Sequence, residues 1–295
     1  MNMINMINND YFDNLFWDVY NENSLDKHSN YYQNHKQQKI TQIMNKNSDN
    51  SAKPTLSLSN GKLVAEWIDG AGNIQDIYVK NETGNSDYIP SINDQSGEFY
   101  QVPNGIDRLC MYVCAPNQSG KTTYVARFLE TYIGAYPHKD VIVFSKLFND
   151  PILDKFHIKR VNLTKFDNKN ALERLTNSLV IFDDYDQISD KSSHKMIIDL
   201  INEILCNGAH YHIDIIITHH LLTDYKNTRT ILNECSIFVI FPQSGSEKQR
   251  EYLLKLYFGM STQQIQSLKK LNSRWVILYK NYPQMVLYNH GIYLL

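Results

Sequence analysis

From Leu109 to Leu129 the chain reads LCMYVCAPNQSGKTTYVARFL, and no other stretch restricts its fold so tightly. An apolar run gives way to a short turn ending in Gly-Lys-Thr, after which apolar residues return at helical spacing. Strand, tight turn and helix in that order aim successive backbone N–H groups and a helix N-terminus at one point, an anion seat. The G-x-x-x-x-G-K-[ST] pattern of phosphate-binding loops is met except at its first glycine, here Ala115. That glycine mainly eases the turn out of the strand, and alanine costs little there if φ is negative. Gly120 lets the backbone approach a β-phosphate, Lys121 brings a point charge to the β/γ-phosphates, and Thr122 offers a hydroxyl to Mg²⁺. Asn117, Gln118, Ser119, Gly120, Lys121, Thr122 and Thr123 are therefore the expected ATP-binding residues.

A bare Gly-Lys-Thr is common, so a second motif carries the weight. SLVIFDDYD, about 60 residues downstream, puts Asp183 and Asp184 at the end of an apolar strand. Asp183 is the expected Mg²⁺ residue, and Asp184 the expected group that polarises an attacking water. The structural alternative for the two aspartates is a helix cap or a strand-end turn. A third apolar run, IDIIITHH, ends in His219 and His220. P-loop motors with a strand inserted between the two Walker strands place a γ-phosphate sensor at such an end. Neighbours at a strand end face opposite ways, so one histidine of the pair points at the nucleotide. His219 is the expected sensor, solvated loop histidines are the alternative, and VIVFS (141–145) is the expected inserted strand. Arginine is scarce, which makes Arg229, between the sensor strand and the next one, the candidate finger reaching a neighbouring subunit's γ-phosphate. Arg127 is a second choice, and a helix-surface role is open to both.

Val/Ile-rich runs at 109–114, 141–145, 178–183, 213–218, 236–241, 275–279 and 285–288 read as strands. Helical patterns fill 121–135, 191–207, 222–234, 246–257 and 262–271. The alternation implies an α/β domain over 106–295, with a mostly parallel sheet flanked by helices. Before it, 55–105 reads as a small β-rich subdomain and connector, turning at Asn60-Gly61. Residues 1–54 read as a flexible, low-complexity arm whose apolar cluster YFDNLFWDVY is either a sticky helix or a docking peptide. A formal net charge of −2 exerts no global pull on nucleic acid, so DNA contact must come from a local patch. Lys269, Lys270 and Arg274 form the densest basic group, read as a solvated helix end or as a contact to DNA or a neighbouring subunit. Cys110, Cys114, Cys206 and Cys235 form no C-x-x-C pair and read as buried free thiols in a reducing compartment. No apolar run reaches the roughly 18 residues of a membrane span, and no signal pattern opens the chain, so a soluble intracellular protein is expected.

Taken together, APNQSGKTT, LVIFDDYD, NGAHYHIDIIITHH and an Arg-containing helix before SIFVIFP resemble the genome-packaging ATPases of large DNA viruses and virophages, a branch of the FtsK–HerA superfamily. The resemblance spans roughly Arg108 to Pro242, with FSKLFNDP fitting between the Walker motifs. It implies a P-loop (RecA/FtsK-like) fold, ATP and Mg²⁺ as ligands, a homo-oligomeric ring, and pumping of double-stranded DNA into a capsid. It further implies a capsid or portal-vertex partner, for which the N-terminal arm is the candidate contact, and residence in the host cytoplasm (a viral factory) or the virion. The sequence departs from that family at Ala115, at Ala209 where relatives carry a basic residue, and at His219 where relatives often carry Gln. A slow nucleotide-dependent switch or scaffold is the alternative from another class. A P-loop kinase fits less well, since about a hundred residues precede the loop and arginine is sparse.

Overall fold

The computed structural model describes residues 53–82, 88–103, 108–163, 166–224 and 227–295. The expected N-terminal arm lies outside the described residues. Among the described residues, five strands precede the loop: β1 (Lys53–Ser57), β2 (Lys62–Asp69), β3 (Ile74–Glu82), β4 (Ser91–Asn93) and β5 (Gly97–Gln101). Then β6 (Cys110–Cys114) leads into it and α1 (Lys121–Ala135) leaves it, followed by β7 (Asp140–Ser145), β8 (Lys159–Asn162) and α2 (Ala171–Arg174). The chain continues through β9 (Ser178–Asp183), α3 (Lys191–Asn207), β10 (Asp214–His219), α4 (Arg229–Glu234) and β11 (Ile237–Ile240). It closes with α5 (Glu247–Phe258), α6 (Thr262–Lys269), β12 (Val276–Tyr279), β13 (Met285–Tyr288) and β14 (Gly291–Leu294).

Ten strands form the central sheet, in the order β4-β14-β13-β12-β11-β6-β10-β9-β7-β8. From β8 to β11 every pairing is parallel, and from β11 to β4 every pairing is antiparallel. Strands β6, β9 and β10 are buried along their whole length, which is why they read as unbroken apolar runs rather than alternating ones. Helix α1 packs Val125, Leu129 and Tyr132 on one face of the sheet. Helix α3 covers the other with Ile197, Leu200, Ile201, Ile204 and Leu205, the i, i+3, i+4, i+7, i+8 stripe of an amphipathic helix. Each such side chain, fully buried, is worth about 1.5–3 kcal/mol. The stripe starts cleanly because the Asp190 side chain caps the helix, accepting the Ser193 N–H.

The sheet order corrects the expected place of VIVFS. That strand, β7, lies outside β9, whereas the strand between the Walker strands β6 and β9 is β10. Position in sequence does not set position in a doubly wound sheet. The helix expected over 222–234 is confined to Arg229–Glu234. Ahead of it the Asp224 carbonyl accepts the N–H groups of Asn227 and Thr228, and the Thr228 hydroxyl closes the same turn, a local arrangement that competes with helix. Cys110, Cys114 and Cys235 are buried free thiols as expected, but Cys206 is exposed on the outer side of α3. A second sheet, β1-β3-β2-β5, precedes the loop, yet β4 from the same stretch pairs with β14 in the large sheet.

Candidate nucleotide site

Parallel pairing places the C-terminal ends of β6, β10 and β9 side by side, His219 opposite Cys114 and Ile217 opposite Phe182. In open α/β sheets ligands bind at this edge, and here the three motifs meet there. The Ala115 N–H donates to the His219 carbonyl at 3.2 Å, tying the start of the loop to β10. The sharp bends fall at Gln118 (φ 64°) and Gly120 (φ 106°). Ala115 is not among the positive-φ residues, so its methyl costs the turn nothing.

Lys121 is only 6% exposed; its Nζ donates to the Ala115 carbonyl at 2.9 Å and sits 3.4 Å from Asp184 Oδ1. Asp184 itself adopts a left-handed conformation (φ 45°), which Asp tolerates better than most residues, and which turns its carboxylate toward the loop. Asp183 is buried beside it, with the Ser145 hydroxyl at 3.2 Å from the end of β7. The single hydroxyl proton of Thr218 serves two carboxylates, Asp183 Oδ1 at 3.2 Å and Asp184 Oδ1 at 3.1 Å. Burial, and then the neighbouring Asp184 charge, push the Asp183 carboxyl above its ordinary value. A buried carboxylate with hydroxyl neighbours and, among the described residues, no cationic partner of its own has the donor chemistry that suits a hard divalent ion such as Mg²⁺.

The histidines separate as strand-end neighbours must, and it is His220 rather than the expected His219 that faces the loop. His219 is 2% exposed, its Nδ1 engaged by the backbone of Leu221 and its ring between Tyr112 and Tyr185, and burial lowers its pKa. His220 faces the loop: Nδ1 lies 2.9 Å from Asp186 Oδ2, and Nε2 lies 2.5 Å from Asn117 Oδ1 and 3.4 Å from Asp184 Oδ2. Asp184, Asp186 and His220 bring one ligand atom each within 4.8 Å of one another. Lys121, against Asp184, already supplies a cation to that group. A cavity of about 560 Å³ opens beside the loop, walled by Pro116, Asn117, His220, Leu222, Phe241 and Gln249.

Arg229 is exposed at the start of α4 and makes no hydrogen bond or ion pair among the described residues. Arg127 is not available to a partner in the same way: it pairs with Glu98 at 3.1 Å and stacks on the Tyr100 ring at 4.0 Å. The basic group near the C-terminus divides. Lys269 contacts Glu247 and Glu251, whereas Arg274 donates its Nε–H to the Ser119 carbonyl at 2.9 Å, at the lip of the loop. Sequence reasoning gave Arg274 no nucleotide-side place, and a separation of 155 residues carries no local signal that could have done so.

Among the described residues no helix is long and apolar enough to cross a membrane. No protein-family model matches the sequence. The chain is 35% identical over 198 residues to an uncharacterised protein, V3, of Sputnik virophage, spanning 66% of this chain and 80% of that one. Among solved structures it is similar to the genome-packaging NTPase B204 of Sulfolobus turreted icosahedral virus 2 in complex with sulfate, at 15% identity, 62% of this chain, 96% of that chain and a TM-score of 0.44. The cytoplasmic domain of the type VII secretion ATPase EccC of Thermomonospora curvata is similar at 9% identity over 79% of this chain and 29% of that one, with a TM-score of 0.45.

Proposed function

The chain belongs to the virophage family that includes protein V3 of Sputnik, and on that premise we propose that it is an Mg²⁺-dependent ATPase driving double-stranded DNA into a capsid. One observation carries the ATPase reading: Lys121, Asp183, Asp184 and His220, from three separate stretches, converge at one edge of a parallel sheet. In this reading the N–H groups from Gln118 to Thr122 and the Lys121 ammonium bind the ATP phosphates. Thr122 and Asp183 hold Mg²⁺, which when bound offsets phosphate charge. A phosphate reaching Lys121 displaces Asp184 from its 3.4 Å ion pair. The freed carboxylate then accepts a proton from the attacking water, and His220, braced by Asp186, orients that water from the far side.

The motor reading is supported by the order of the motifs and by β10 standing between the Walker strands, the arrangement of P-loop motors. The assembly proposed is a homo-oligomeric ring in the host cytoplasm or virion, with residues 1–54 meeting the capsid. Arg229, exposed and uncommitted, is its trans finger. If so, mixing Arg229→Ala with Lys121→Ala subunits restores part of the turnover that each lacks alone. No recovery in an assembly confirmed as mixed removes that role. The principal test is the ATPase rate with and without linear double-stranded DNA, alongside a native mass. The expected result is stimulation by DNA in a ring-sized species. ATP binding with no stimulation would favour a nucleotide-dependent switch instead.

A further inference from the structure

Of the seven arginines, five are committed within the described chain. Arg108 donates to the carbonyls of Ile204, Leu205 and Ile213; Arg127 and Arg160 pair with Glu98 and Asp154; Arg174 binds the Asp167 carbonyl and Arg250 that of Ser244. Arg274 is different. Its Nε–H holds the Ser119 carbonyl, while its two terminal nitrogens make no hydrogen bond or ion pair among the described residues.

Its position is fixed from behind. The neighbouring Ser273 is buried, donating to the Trp275 carbonyl at 2.5 Å with Asn289 Oδ1 at 2.9 Å. Trp275 packs edge-on against Tyr124 of α1, the helix that the loop opens, with ring centroids 5.5 Å apart. Arg274 is therefore tied to the loop through Ser119 and, through its neighbour Trp275, to the helix that follows the loop. It also lies where the loop has been left bare: a Cβ on Gly120 would stand 3.0 to 3.2 Å from Arg274 Nη2, Cζ and Nε. The glycine permits close backbone approach to phosphate, and the group beside that opening is a planar fork with unspent donors, the geometry that binds phosphate oxygens bidentately.

We propose that Arg274 is a phosphate-binding residue acting in cis, contacting the diphosphate portion of the nucleotide from the outer lip of the loop opposite Lys121. The assignment rests on the nucleotide-binding reading above. Because both groups meet phosphate rather than base, inorganic pyrophosphate serves as a probe beside ADP. Calorimetric titration of the full chain is expected to show Arg274→Gln binding both probes about 10- to 100-fold more weakly, the worth of a charge-assisted hydrogen bond. Arg274→Lys, which keeps the charge but not the fork, is expected to recover part of that loss. Glutamine retains a donor for the Ser119 carbonyl, so a residue that merely latches the loop predicts unchanged binding in Arg274→Gln. Affinities within twofold of the parent for both probes would overturn the proposal. If the parent binds neither probe, the nucleotide reading itself fails; if it binds and Lys121→Ala does not, while Arg274→Gln matches the parent, only Arg274 is misassigned.

Discussion

Strand β10 carries buried polar residues at both of its ends, and the two ends are built to opposite rules. At its start, Asp214 accepts the Leu109 N–H at 2.9 Å, the Tyr132 hydroxyl at 2.5 Å and the Lys139 ammonium at 2.7 Å. Every oxygen there has a donor and the charge has its counter-ion. At its finish, one Thr218 proton is shared between Asp183 and Asp184, the ammonium paired there among the described residues is the loop's own Lys121, and Asp183 is held above its ordinary pKa. A satisfied buried network makes the fold rigid and unique. A network short of cations is retained against stability, and such local conflict marks the place where a ligand completes the structure.

The sharpest way to break that contrast is at the unsatisfied end. Asp184→Asn removes one of two facing carboxylates but keeps the side chain's size. Nucleotide affinity is expected to stay near the parent's while turnover falls about 10²- to 10⁴-fold, the usual worth of a positioned base. Binding is read by calorimetry and turnover by phosphate release. Normal turnover would return Asp184 to a strand-end turn residue with no part in hydrolysis.

The satisfied end predicts the reverse. Asp214→Ala strands the mostly buried Lys139 ammonium and the Leu109 N–H, and is expected to cost about 3–5 kcal/mol of stability. Nucleotide affinity, measured on the folded fraction, should be unchanged, since the whole length of β10 separates the two clusters. Urea unfolding gives the stability difference. A loss under 1 kcal/mol would mean that the two ends of the strand do not differ as their hydrogen bonds say they do.

How far this was readable beforehand depends on the range of the interactions. The bounds of β9, α1 and α3 follow from the apolar pattern alone, because each is decided within a few turns of chain. The seat of Lys121 between the Ala115 carbonyl and Asp184 is legible for a different reason: the two partners are far apart in sequence, and only the order of the two motifs links them. Lateral strand order is not, since Val/Ile runs buried on both faces carry no label for their neighbours, and β7 and β10 exchange places without altering either pattern. Arg274 lies beyond local reading altogether: its neighbour in space is the loop, and its neighbours in sequence look like a basic helix end.

The smallest effect concerns the pair where alternation was legible but direction was not. At the end of β10 the sheet decides which histidine turns inward. His219 is locked by Leu221 among Tyr112 and Tyr185, and burial lowers its pKa. His219→Leu is therefore expected to change stability by about 1–2 kcal/mol, with turnover within about twofold of the parent. His220 instead bridges Asp186 to Asn117 and faces Asp184, so His220→Ala is expected to slow turnover about tenfold, the low end of what an orienting outer partner supplies. Steady-state phosphate release on both variants decides between them. If the ranking inverts, the inward histidine reaches the nucleotide through a rearranged β10 end, and the unsatisfied cluster must extend one residue deeper into the strand than its hydrogen bonds now show.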